Sequence, residues 1–193
     1  MNWEIDFSAI MTIFTIVAVG AIIPVIPTGA AVSAAAVVAA HDSVPSLIGV
    51  VVAGAAGAFV GDAVTYAALR VGGEGAARRL PWLRAPGVPQ RTADRLTARP
   101  IPVLLVSRLV PGGRVPVLLA AAIFGVPWRL FAMANIAASA LWSAVYASIG
   151  LIGRALFPEP WQGVVAVVIL VILISVVSSL IQRRREAAET EAR

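Results

Sequence analysis

The chain has 193 residues, 60% of them hydrophobic and only 13% charged, with a mean hydropathy of +0.92; this is well above the roughly half-apolar usage of a soluble domain. A soluble core of this size cannot hide that much apolar surface, so the bilayer must cover it. Zero cysteines exclude disulfides and thiol chemistry, the single His41 removes a multi-histidine metal site, and the net charge of +5 lies in two arginine-rich stretches beside apolar runs, a placement that positive-inside topology explains better than nucleic acid does.

The opening MNWEIDFSAI carries two acids and no base, which argues against a cleaved signal peptide. Residues 7–40 form a long apolar run interrupted by Pro24 and Pro27, and two prolines three apart cannot both sit inside a regular helix. Each half is short of the ~20 residues needed to cross the hydrocarbon core, so a re-entrant hairpin is expected. Residues 44–69 are long enough to span, and Gly54, Gly57 and Gly61 provide a small-residue stripe for close helix contact. Residues 70–100 turn hydrophilic, with seven arginines against Glu74 and Asp94, and are read as a cytoplasmic loop. Within it Gly72-Gly73-Glu74-Gly75 reads as a turn, without the strand, Lys and Ser/Thr of a nucleotide-binding loop. The apolar run 101–125 is broken at Pro111-Gly112-Gly113-Arg114-Val115-Pro116 and predicts a second re-entrant hairpin. Segments 128–153 and 162–182 read as transmembrane helices, and 183–193 as a basic cytoplasmic tail.

The expected architecture is therefore an all-α, single-domain membrane protein with two re-entrant hairpins and about three to four transmembrane helices. Both arginine-rich segments belong on the cytoplasmic face, and two spans plus a hairpin between them satisfy that count. The hairpins then open from opposite faces, which is the logic of an inverted repeat with a site where the broken helices meet.

Ser107-Arg108-Leu109-Val110-Pro111-Gly112-Gly113-Arg114 places two cations in an apolar segment, where each costs several kcal/mol unless paired or hydrated. The arginine fork suits phosphate or carboxylate, and backbone N–H groups freed at the break suit the same anion. The alternative is structural: an arginine that snorkels or satisfies carbonyls at the break. Asp62, Tyr66 and Arg70 stand at i, i+4 and i+8 on one helix face. For Asp62 three roles stay open: carrying a coupling proton, pairing with an intramembrane arginine, or bonding across helices. Arg70 reads as a helix-end cation. Asn135 and Trp142 share a face of the 128–153 helix, with packing as the plain role, and His41-Asp42, at the outer end of the first hairpin, reads as a solvated pair with a proton relay as the alternative. No Ser-His-Asp set or facing carboxylates are visible, so a transporter rather than an enzyme is expected, with no cofactor.

Three blocks resemble the DedA membrane proteins, whose shared region is also called the VTT or SNARE-associated domain. They are Pro24-x-x-Pro27, Gly57-x-x-x-Gly61-Asp62-x-x-x-Tyr66-x-x-x-Arg70, and Ser107-Arg108-x-x-Pro111-Gly112-x-Arg114 followed by Phe131, Asn135 and Trp142. The resemblance covers about residues 20 to 153. It implies opposed re-entrant hairpins and the movement of an anionic lipid between leaflets of the cytoplasmic membrane, undecaprenyl phosphate being the bacterial candidate, coupled to protons or sodium. Arg108, Arg114, Ser107, Gly112 and Gly113 would then bind the lipid phosphate, Asp62 would couple or pair, and Tyr66, Arg70, Asn135, Trp142, Pro24, Pro27 and Pro111 would support them. Two acids usual in the family are replaced here by Gly20 and Gly29, Leu69 stands for a usual glycine, and Ala121-Ala122 for an Ala-Gly pair. Competing expectations are a non-selective phospholipid scramblase, a small-anion or proton-coupled exchanger, and a structural membrane protein. The partners expected are the bilayer, a polyprenyl phosphate or phospholipid, and a second copy of the chain, with no nucleic acid.

Overall fold

The computed structural model describes residues 7–23, 27–79, 90–109 and 113–159, and from 161 to 177 all but 167, 171, 172, 174 and 175, with backbone alone at 73–79 and 90–93. Pro24, Pro111, Gly112 and the basic tail 183–193 lie outside the described residues. All the ordered elements among these residues are helices: α1 (Phe7–Ile22), α2 (Thr28–Asp42), α3 (Val44–Arg79), α4 (Gln90–Ala98), α5 (Pro100–Leu109), α6 (Arg114–Ile123) and α7 (Trp128–Leu156). Helical backbone resumes at 161–166 and 168–170, within the segment expected as the last span.

Local chemistry sets these boundaries. Ser43 opens α3 by accepting the Ser46 N–H at 3.2 Å on its hydroxyl, which satisfies one of the orphan donors of the first turn. Pro100 and Pro102 fall in the first turn of α5, and Pro116 in that of α6, where a missing N–H breaks no helical bond. α6 ends on Gly125, whose φ of +67° is left-handed. The Val126 N–H returns to Ala121 O at 3.0 Å and the Gly125 N–H to Ala122 O at 3.4 Å, so the chain turns sharply into α7 through a Schellman cap.

The segment read as a loop from residue 70 differs in part. α3 continues through Gly72-Gly73-Glu74-Gly75 to Arg79, and 90–98 is helical. No proline stands between Pro45 and Pro81, and glycine lowers helix stability only by ~1 kcal/mol per residue, so an established helix runs on through it.

α3 and α7 are the two long apolar helices; 29 residues of each, 44–72 and 128–156, suffice to cross a bilayer. They pack against each other at the centre. α1 lies on α3 and α5 on α7, while α2 packs on α7 and α6 on α3. The small-residue stripe permits the first of these contacts. A Cβ added at Gly57 would sit 2.5 Å from the Phe14 carbonyl oxygen, and one at Gly61 would collide with Ala21 and stand 2.6 Å from the Ala18 carbonyl oxygen. Gly54 instead faces Ser143 of α7 and Val32 of α2. Outward faces of α3 and α7 are apolar, with Val52, Val60, Met133, Ile136 and Ile152 exposed, as a surface solvated by lipid tails requires.

Candidate functional site: two arginines on one carboxylate

Asp62 sits on the inner face of α3, one turn beyond Ala58, with a side chain only 1% exposed. Arg108 comes from the end of α5 and Arg114 from the start of α6, so the break between these helices brings both guanidinium groups to the same carboxylate. Arg108 Nη2 donates to Asp62 Oδ2, and Arg114 Nε donates to Asp62 Oδ1 at 2.5 Å. The Arg108 side chain is 5% exposed and that of Arg114 18%, so Arg114 is the more open of the two.

Further oxygens surround Arg108 Nη2: Ser139 Oγ at 2.9 Å, Asn135 Oδ1 at 3.1 Å and the Ala58 carbonyl at 3.1 Å. Asn135 is held in turn by its Nδ2, which donates to Phe59 O at 3.4 Å. The Arg108 guanidinium also lies 5.7 Å from the centre of the Trp142 ring, within cation–π range. Arg114 Nη2 donates to the Ala21 carbonyl in the last turn of α1, where carbonyls lack helical partners. Five helices, α1, α3, α5, α6 and α7, thus converge on one ion cluster.

Of the three roles open for Asp62, the geometry realises pairing, with both arginines at once. Two cations on one carboxylate leave a surplus positive charge. Arg108 Nε, moreover, is the one fully buried side-chain nitrogen or oxygen without a hydrogen-bond partner among the described residues. Surplus charge and an unused donor in a buried place favour an added anion.

The other expected residues divide. Asn135 and Trp142 join the cluster. Tyr66 and Arg70 do not: the Tyr66 hydroxyl donates to Val126 O at 2.5 Å, and Arg70 Nη1 reaches Val126 O at 3.0 Å and Tyr66 Oη at 2.5 Å. They latch α3 to the α6–α7 turn, and Tyr66 stacks on Phe131 with ring centres 4.2 Å apart. Leu69 is buried in the same apolar cluster. Ser107 is buried, but its hydroxyl donates back to Leu104 O at 2.7 Å, so it does not face the ion cluster. Gly113 caps α6, and Pro27 caps α2. Ser139 and the carbonyls of Ala21 and Ala58 escaped the sequence reading. Ser139 had a signal, since it stands one turn after Asn135 and three residues before Trp142; the carbonyls had none.

At the two glycines where the resemblance leads one to expect acids, Gly20 is buried in α1, and Gly29 lies against Tyr146 so closely that an added Cβ would overlap the ring. The phenol of Tyr146 therefore occupies the room that a longer side chain at 29 would need. Among the described residues no group of three or more acids, histidines or cysteines is placed to hold a metal.

The family profile described as the VTT domain, which is the domain of the DedA proteins, matches residues 9–152, about three-quarters of the chain. No curated protein and no solved structure matches it. The matched region contains every member of the ion cluster, the 44–72 span of α3 and all but the last four residues of α7, and the chain belongs to the DedA family of VTT-domain, transporter-like membrane proteins.

Proposed function

We propose that this protein carries an anionic lipid, a polyprenyl phosphate such as undecaprenyl phosphate, between the leaflets of the cytoplasmic membrane, with its C-terminus on the cytoplasmic side. The observation that carries the proposal is the cluster of two buried arginines on a single carboxylate, with one arginine nitrogen unpaired. A phosphate monoester entering the cluster neutralises the surplus charge and offers more acceptor oxygens than Asp62 alone, and guanidinium is the side chain best matched to it. Asp62 competes for the same donors. It holds the arginines in place when no ligand is bound, and its neutralisation would release donors to the phosphate.

In this reading α1–α2 and α5–α6 are re-entrant hairpins opening from opposite faces, related as an inverted repeat. The packing supports it: each hairpin lays its first helix on the long helix of its own half and its second helix on that of the other half. Rocking of one half against the other would expose the cluster alternately to each leaflet.

A structural reading has its own support, because Arg108 and Arg114 bond to Ala58 and Ala21 and so tie α5 and α6 to α3 and α1. Transport in proteoliposomes separates the two. Arg114→Gln should fold, because this side chain is the less buried of the pair, yet move a polyprenyl phosphate at least about tenfold more slowly, the loss of one charge-assisted bond being worth roughly 1.5–3 kcal/mol. Unchanged transport by a folded Arg114→Gln would refute the lipid-phosphate reading, and loss of folded protein together with activity in all substitutions at 108 and 114 would favour the structural one.

A further inference from the structure

A second cationic place lies outside the ion cluster. α4 packs on α5 and α6, and these three helices enclose a groove of about 690 Å³, within the roughly 300–1,000 Å³ range of ligand pockets. Its wall includes Arg95 and Arg99 from the α4 end, Val103 and Val106 along α5, and Ser107 and Gly113. Arg95 and Arg99 are exposed, and among the described residues no carboxylate forms an ion pair with either. Val106 is 55% exposed in spite of its apolar side chain. Ser107 and Gly113 immediately precede Arg108 and Arg114 in the chain, and Arg99 lies nine residues before Arg108, about 13 Å by helical rise.

Two cations with no carboxylate partner among the described residues at one part of an apolar groove, and the chain neighbours of Arg108 and Arg114 at another part, match a molecule with one anionic head and a hydrocarbon tail. We propose that the α4–α6 groove is a loading site for the anionic lipid, with its phosphate on Arg95 and Arg99 and its chain against Val103 and Val106, from which the head group passes to Arg108 and Arg114. This rests on the lipid-phosphate reading of the central cluster. An inorganic anion would gain nothing from the apolar wall, and a neutral lipid nothing from the arginines.

The test is photolabelling of the full chain in detergent with a diazirine-tailed alkyl phosphate, with adducts mapped by peptide mass spectrometry. Adducts are expected on the 103–117 segment of the wild type and of Arg108→Gln, reduced about tenfold or more in Arg95→Gln/Arg99→Gln, since each cation near an anionic lipid head contributes about 1 kcal/mol. Val106→Trp, which fills the groove, should lower them as well, and unlabelled alkyl phosphate should compete where inorganic phosphate does not. Labelling unchanged in Arg95→Gln/Arg99→Gln, or equal labelling by the corresponding diazirine alkanol, overturns the loading site and leaves the central cluster untouched. Competition by inorganic phosphate alone would make it a free-anion site. A dimer that Val106→Trp converts to monomer would give the groove to a second copy of the chain, and either result contradicts the proposal. Transport lost in Arg108→Gln with groove labelling intact supports both sites, whereas transport intact in that variant overturns the central reading on its own.

Discussion

Asp62 is the residue on which the site balances. Buried with both arginines on its two oxygens, it screens each cation from the other and from the apolar surroundings. Replacing it leaves two buried guanidinium groups facing each other without an intervening charge. Breaking a buried ion pair by removing one partner costs on the order of 3–5 kcal/mol, so Asp62→Asn should melt well below the wild type in detergent. An alkyl phosphate should raise its melting temperature more than it raises that of the wild type, because the anion replaces the missing carboxylate; equal shifts in the two proteins would show that the anion does not enter the cluster. The two arginines and Asp62 were visible in the sequence as charges in apolar stretches, and pairing with an arginine was one of the roles open for Asp62, but that both arginines share its carboxylate was not visible. Positions 62, 108 and 114 are joined only by the way α5 and α6 fold onto α3, and local spacing carries no information on that. Arg70 shows the opposite case: it reads from the sequence as a helix-end cation, but α3 runs on for nine residues to Arg79, and its long side chain reaches to Val126 O instead.

At the level of elements, the breaks at Pro27 and Gly113-Arg114 were legible because proline and glycine act locally through dihedral angles and missing donors. The helix beyond residue 70 was not, because a polar, glycine-containing stretch looks like a loop when propensity is summed without the helix that feeds it. α4 was missed for the related reason that nine residues with three charges give little signal until Leu96 is seen to be buried. The contact between α2 and α7 bears on Gly29, where the resemblance leads one to expect an acid. Tyr146 fills the space above Gly29, and Ser33 Oγ donates to Tyr146 O at 2.7 Å. Introducing an acid with Gly29→Glu should therefore force the two helices apart and destabilise the protein by more than about 1–3 kcal/mol, the usual overpacking range. Gly29→Glu/Tyr146→Ala should recover much of that loss in a thermal melt. A single variant as stable as the wild type would show that the ring moves aside freely, and the steric account of Gly29 would fail.

For the whole molecule, composition alone placed the chain in a bilayer, and the apolar outer faces of α3 and α7 agree with it. The arrangement of the halves is a matter of which helix ends share a face, and the cysteine-free sequence allows it to be mapped with single introduced cysteines. Phe7, Val44, Val71 and Phe124 are all exposed. If α1–α2 and α5–α6 are re-entrant, a membrane-impermeant thiol reagent should modify Phe7→Cys and Val44→Cys from one side, and Val71→Cys and Phe124→Cys from the other. Labelling of Phe7→Cys and Val44→Cys from opposite sides would mean that the first pair crosses the bilayer completely.

All these scales meet in one contact, that of a lipid phosphate with the guanidinium groups of Arg108 and Arg114. Solid-state NMR of the protein in bilayers, with ¹⁵N in arginine side chains and a polyprenyl phosphate as the source of ³¹P, reads that contact as a dipolar coupling. A coupling of contact strength in the wild type, diminished in Arg114→Gln and absent when the neutral polyprenol is supplied, is the expected result. A wild-type signal that persists undiminished in Arg114→Gln would place the phosphate elsewhere and contradict the site described here.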